Sequence, residues 1–189
     1  MQISGAQGIN GYVKARDDSG YIGFYPTSAI TLAEFNQAIE FHKLIFARQC
    51  VFVSEIIDGL PQQKRTAPLL ASIQLSGLNV REVWLETADT NDGKQLSGFC
   101  KKFSSPLQQE LQKAELLDPH SDWRLHLFFL DSSHVFIGFT HINNSAAQPM
   151  GILRLRMPGS APSRSTLKLE EAIKTMLSEA EQARYLANG

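Results

Sequence analysis

The residues best equipped for chemistry in this chain lie near its end. Arg154 and Arg156 precede a Pro/Gly/Ser-rich segment, Arg164 follows it, and Ser163, Ser165 and Thr166 lead to Lys168 one turn into a helical pattern. Guanidinium groups offer planar, paired donors to phosphate, and an ammonium offers a point charge. Residues 132–169 hold these four cations and not one carboxylate, so the segment carries a local positive field suited to a polyanion. The same run also reads as an ordinary solvated linker. Lys94 beside Gly93 on a loop, and Lys101 and Lys102 on a helix, are weaker candidates for the same contacts, because a solvated face is the default for lysine. His42, His120, His126, His134 and His141 lack a ligand-pair spacing such as His-Glu-x-x-His, and Cys50 and Cys100 lack a Cys-x-x-Cys partner. Neither a metal nor a disulfide is implied, and the histidines read as structural.

Elements must hold these groups in place. Gly11-Tyr-Val-Lys-Ala-Arg16 and Tyr21-Ile-Gly-Phe-Tyr25 flank Asp17-Asp-Ser-Gly20, a hairpin signal with a glycine available for positive φ. Thr31-Leu-Ala-Glu34 has the form of a capping box and predicts a helix over 31–44. Cys50-Val-Phe-Val-Ser-Glu-Ile-Ile57 follows as a strand, completing a β-β-α-β unit. Pro68 and Gly77 bracket a helix near 67–76. A strand over 81–87 comes next. Asn91-Asp-Gly93 then turns into a helix through Phe103, which Ser105-Pro106 restarts. Trp123-Arg-Leu-His-Leu-Phe-Phe-Leu130 reads as a central strand, apolar on both faces, paired in a hairpin with Val135-Phe-Ile-Gly-Phe-Thr140. Residues 146–162 form a connector. Beyond it, Leu169, Ala172, Ile173, Met176 and Leu177 mark a helix of about four turns from near Ser163, with Lys168 on the flank of the apolar stripe. The architecture is α+β, sheets with helices on one face.

The chain has 189 residues, 43% apolar and 20% charged, with a net charge of −1, a globular composition that excludes disorder. No apolar run reaches the roughly 20 residues that span a bilayer, and the first residues lack a secretion signal. The natural reading is a cytoplasmic protein, in which the glycosylation-like Asn143-Asn-Ser145 has no consequence.

Several segments together carry a resemblance. Leu44-Ile-Phe-Ala-Arg-Gln49, Ala88-Asp-Thr-Asn-Asp-Gly-Lys94, Phe99-Cys-Lys-Lys-Phe103, Pro106-Leu107, Asn143-Asn-Ser145, Arg154-Leu-Arg-Met-Pro158 and Ala161-Pro-Ser-Arg-Ser-Thr-Leu-Lys-Leu-Glu-Glu-Ala172 resemble the bacterial 23S ribosomal RNA 2′-O-ribose cytidine methyltransferases, the large-subunit methyltransferase M family. The resemblance implies a ferredoxin-like subdomain at 1–62 lacking its first strand and helix, a THUMP domain at 63–145, a basic linker at 146–162, and at 163–189 the first helix of a Rossmann-like methyltransferase domain that binds S-adenosylmethionine. It makes Lys168 the first member of a Lys-Asp-Lys-Glu catalytic group, and it makes Arg154, Arg156, Arg164, Lys101, Lys102 and Lys94 contacts to ribosomal RNA. The family's glycine-rich cofactor loop would follow Asn188-Gly189, so this chain is expected to hold no cofactor and to be inactive alone. Loss of a central first strand would leave a gap in the sheet, closed by strand exchange in a homodimer. The other readings are a stand-alone α+β module for self-association or a small ligand, and a THUMP domain attached to transfer-RNA chemistry.

Overall fold

A computed structural model describes residues 8–15, 17, 19–155, 163 and 165–186. Its contacts divide into two units, residues 1–151 and 152–189.

In the first unit, strands β1 (Gly11–Ala15) and β2 (Ile22–Pro26) form the expected antiparallel hairpin, with Tyr12 opposite Tyr25. Gly20 takes φ +72° in its turn. Helix α1 (Leu32–Ala38) begins with the capping box: Thr31 N–H donates to Glu34 Oε2 at 2.7 Å, and Glu34 N–H donates to Thr31 Oγ1 at 3.2 Å. The helix is far shorter than the 31–44 that the periodicity predicts. Asn144 is the reason. Its Nδ2 donates to the carbonyls of Ile39 (2.6 Å) and Asn36 (3.2 Å), and its Oδ1 accepts from Phe41 N–H at 2.8 Å. These groups would otherwise continue the helical ladder, so a side chain distant in sequence stops it and leaves only a short 3₁₀ turn, Phe41–Lys43.

Strand β3 (Phe52–Asp58) does not join the hairpin. It pairs antiparallel with β6 (His134–His141), which pairs antiparallel with β5 (Trp123–Phe129), which pairs parallel with β4 (Glu82–Thr87), giving the order β3-β6-β5-β4. The three strands of the expected β-β-α-β unit therefore do not share one sheet. Residues 1–62 and 63–145, expected as separate subdomains, are joined through β3.

One face of this sheet carries Leu125, Leu127, Phe129, Val135, Ile137 and Phe139, all buried. Helices α2 (Thr66–Leu75) and α3 (Asn91–Lys113) cover it with Leu69, Ile73, Cys100, Leu107 and Leu111. Helix α1 adds Leu32 to the same core, and its Phe35 ring lies 5.5 Å from that of Phe52. The expectation of helices on one face of an α+β sheet is met.

The helix expected to restart at Ser105-Pro106 is instead a single element through Lys113, with Pro106 inside. Pro106 is exposed, so its ring faces solvent at the cost of one ladder bond. Phe103, Leu107 and Leu111 on either side pack on the same core and hold the helix in one piece.

The second unit contains α4 (Ser165–Met176) and α5 (Glu179–Leu186). Ser163 Oγ accepts the Ser165 N–H at 3.1 Å at the start of α4. A second capping box opens α5, with Ser178 N–H donating to Glu181 Oε2 at 2.8 Å and Glu181 N–H to Ser178 Oγ at 3.3 Å.

Candidate nucleic-acid interface

Helix α3 is positioned by its ends and its inner face. Thr90 caps it, its hydroxyl accepting the Gly93 N–H at 3.1 Å, and Phe99, Cys100, Phe103, Leu107 and Leu111 fix its rotation against the sheet. Lys94, Lys101 and Lys102 are exposed as a result. Lys94 is helical rather than on a loop, in the first turn. It shares one line of the outer face with Lys101, about 10 Å further along the axis at 1.5 Å per residue. Among the described residues none of these three lysines is ion-paired. A row of unpaired cations on a rigid rod is what a phosphate backbone can follow.

In the second unit, Arg154 is exposed and, with Leu153, Leu155, Leu167 and Glu171, lines a shallow depression. Lys168 stands exposed in the first turn of α4, without an ion pair among the described residues. Leu169 and Met176 of the same helix are exposed as well, while Leu167, Glu170, Ala172 and Ile173 are partly covered, as is Leu177 just past its end. Arg156 and Arg164 lie outside the described residues. The structure thus brings Lys94, Lys101 and Lys102 together on one helix, and sets Arg154 and Lys168 in the other unit.

The charges that the sequence pattern did not single out are buried on the second face of the sheet. Strand β5 is central, as its composition suggests, but it is not apolar on both faces. Arg124 and His126 point away from the helix side and are buried. The Arg124 guanidinium lies 3.6 Å over the Trp84 ring, and its Nε and Nη2 both reach Glu82 Oε1 at 2.8 Å. Its Nη1 donates to Ser145 Oγ and to the Ala146 carbonyl, at 2.8 and 2.9 Å. His126 Nδ1 lies 2.7 Å from Glu86 Oε2, and its Nε2 lies 2.8 Å from Thr140 Oγ1. Gln49 Nε2 donates to the same carboxylate at 3.0 Å, while Glu86 Oε1 accepts the Met150 N–H at 2.7 Å.

Burial alone would push the Glu86 carboxyl up. The bonds from His126, Gln49 and the Met150 amide outweigh it and hold Glu86 below its ordinary value, ionised at neutral pH. The two charged centres pin residues 145–151 along the sheet. Gly151 is required there: its φ is +60°, and a Cβ would meet the Arg48 carbonyl oxygen at 1.9 Å. This is a structural clamp, closed around His126 and Glu86 and open to solvent at Glu82. Its sequence signal was the set of polar residues that fall on one face of each strand, Glu82 and Glu86 on either side of Trp84 in one, Arg124 and His126 in the other.

Burial pushes the Cys50 and Cys100 thiols up to about 11, which leaves both protonated at neutral pH. Among the described residues no group of three His, Cys, Asp or Glu side chains is placed to hold a metal ion. Both tryptophans are half-buried and engaged, Trp84 beneath Arg124 and Trp123 edge-on to His141 at 5.5 Å.

The fold defines a mixed α+β protein that carries three exposed lysines, Lys94, Lys101 and Lys102, on helix α3. Residues 1–51 match the model of the RlmM ferredoxin-like domain, and residues 64–141 match that of the N-terminal region of ribosomal RNA large subunit methyltransferase M. Proteins of that name are similar along almost the whole chain. That of Aggregatibacter aphrophilus is 39% identical over 189 residues, covering 95% of this chain and 52% of the relative. That of Cellvibrio japonicus is 40% identical over 188 residues, covering all of this chain and 53% of the relative. That of Pasteurella multocida is 39% identical over 188 residues, with 95% and 52% covered. The chain belongs to the ribosomal RNA large subunit methyltransferase M family, and it spans about half the length of the curated relatives it matches.

Proposed function

We propose that this chain is the RNA-engaging part of a cytoplasmic, S-adenosylmethionine-dependent enzyme that methylates a cytidine 2′-hydroxyl of 23S ribosomal RNA. In this reading a THUMP domain is centred on residues 63–145, with β3 lending its edge strand, and residues 163–189 open the methyltransferase domain. The observation that carries it is the row of exposed, unpaired lysines on α3, Lys94, Lys101 and Lys102, in a chain whose relatives are named for modifying ribosomal RNA.

Lys168 is the residue of this chain assigned to the chemistry. A ribose hydroxyl is a poor nucleophile, and a cation beside it stabilises developing alkoxide and holds the oxygen in line for transfer. S-adenosylmethionine would supply the methyl group. Residues 165–186 contain no glycine and form two helices, so they do not themselves make a glycine-rich cofactor turn.

The test is binding of the chain to a transcript of the peptidyl-transferase region of the large-subunit RNA across a salt series. A log–log slope of about −2 to −3, that of three or four phosphate contacts, is expected. Changing Lys94, Lys101, Lys102 and Arg154 together to alanine should flatten it. No binding by the unaltered chain at low salt would overturn the proposal.

A further inference from the structure

The outward face of the β1–β2 hairpin carries a second kind of surface, and it is not basic. In β1, Tyr12 and Lys14 fall on one face; in β2, their cross-strand partners Tyr25 and Gly23 fall on the same face. On the other face Val13 and Phe24 are half-buried, while Ile22 and Ala15 at its end are exposed. On the open face the two tyrosine rings lie 5.4 Å apart with their planes only 14° from parallel, and they are 52% and 39% exposed. Lys14 Nζ sits beside both rings, 4.8 Å from the Tyr25 centroid and 5.8 Å from that of Tyr12. Gly23, opposite Lys14, adds no side chain to block an approach.

An exposed aromatic pair costs free energy in water unless something planar or apolar covers it. The occupant can be argued from the chemistry beside the rings. Among the described residues Lys14 is not ion-paired and the face holds no carboxylate, so a partner bearing both a flat π-surface and a negative charge fits best. An unpaired nucleotide is such a partner: its base extends an aromatic stack and its phosphate meets the cation. A duplex hides its base faces and does not fit.

We propose that the Tyr12–Tyr25 pair, with Lys14, is a stacking platform for an unpaired base of the RNA substrate. This rests on the RNA-engaging role proposed above and gives that role its preference for single-stranded segments, which the lysines of α3 do not supply, because phosphate contacts position the RNA without touching its base faces.

The test compares affinity of the chain for a short unpaired RNA and for a duplex of the same sequence. Tyr12→Leu/Tyr25→Leu should weaken unpaired-RNA binding about five- to a hundredfold and leave duplex binding unchanged. Tyr12→Phe/Tyr25→Phe keeps the rings and should bind as the unaltered chain. Photo-crosslinking of an iodouridine-bearing strand to the unaltered chain, which needs no variant to fold, should land on Tyr12 or Tyr25. If the unaltered chain binds RNA but the leucine variant binds equally well, or crosslinks fall elsewhere, the platform is overturned and the RNA role survives. If neither RNA is bound, both fall.

Discussion

His134 shows how much a single exposed side chain can do at a strand end. Its Nε2 lies 2.5 Å from Asp58 Oδ1 across the β3–β6 pair, and its Nδ1 lies 2.5 Å from Asp131 Oδ2 in the β5–β6 turn. The bond to Asp131 raises the histidine above its ordinary 6.5 against the opposing effect of desolvation, and the charges of both aspartates add to the rise. Asp131 feels desolvation upward, but the Ser133 and His134 donors outweigh it and hold it at about 2. The stabilisation from His134 is therefore complete below about pH 6.5 and is lost as pH rises through its raised value. That from Asp131 is complete above its ordinary 3.8 and is lost as pH falls towards 2. Urea midpoints should peak between about pH 4 and 6.5, and His134→Ala should flatten the alkaline side of the profile. Neither the Asp58–His134 nor the Glu86–His126 pair was legible as a pair, because each joins residues far apart in sequence, whereas Asp131 is only three residues from His134. Spacing could mark these histidines only as non-ligands, and their carboxylate partners become visible once the strand register is known.

At the scale of elements, most boundaries followed from local chemistry, and the misses have tertiary causes. The Thr31–Glu34 capping box, the hairpin turn at Gly20 and the alternation of β4 and β6 are written in adjacent residues, and these elements stand where the pattern put them. The end of α1 is not written there: residues 39–44 keep helical spacing, and only Asn144, arriving after β6, withdraws their backbone groups from the ladder. Asn144→Ala should leave the Phe41 N–H and the Ile39 carbonyl without these partners, at a cost of about 1–3 kcal/mol. Amide hydrogen exchange should speed up at residues 36–41 in that variant, while the helix start capped by Thr31 keeps its protection. Uniform protection along α1 in both proteins would refute this account of the boundary. Pro106 errs in the opposite direction, since a local breaker is overruled by apolar residues on both sides of it that share one core.

For the whole molecule, class and architecture were legible from periodicity, whereas the partition into sheets was not. β3 looks like the close of the first unit in sequence and is the edge of the second sheet in space. Among the described residues β1 and β2 pair only with each other, so strand exchange between copies stands as a proposal. Light scattering at high concentration should then give twice the chain mass, and a monomer would remove the idea. The basic residues of the linker were easy to see in the sequence, and helical spacing puts Lys94 and Lys101 on one line, yet which face of α3 stays exposed is decided by its packing on the sheet. The position of β3 also governs the order in which the chain can fold. As an edge strand it has one neighbour, β6, and β6 is made only after everything from Gly59 to Ser133 has been translated. At about 5–20 residues per second, β3 emerges and waits roughly 4–15 s for its partner. During that interval Val51, Phe52, Val53, Ile56 and Ile57 are an unpaired apolar strand, the kind of segment that nascent-chain chaperones shield. The sheet can therefore close only late in synthesis, when β5 and β6 turn back on each other and gather in a strand made long before.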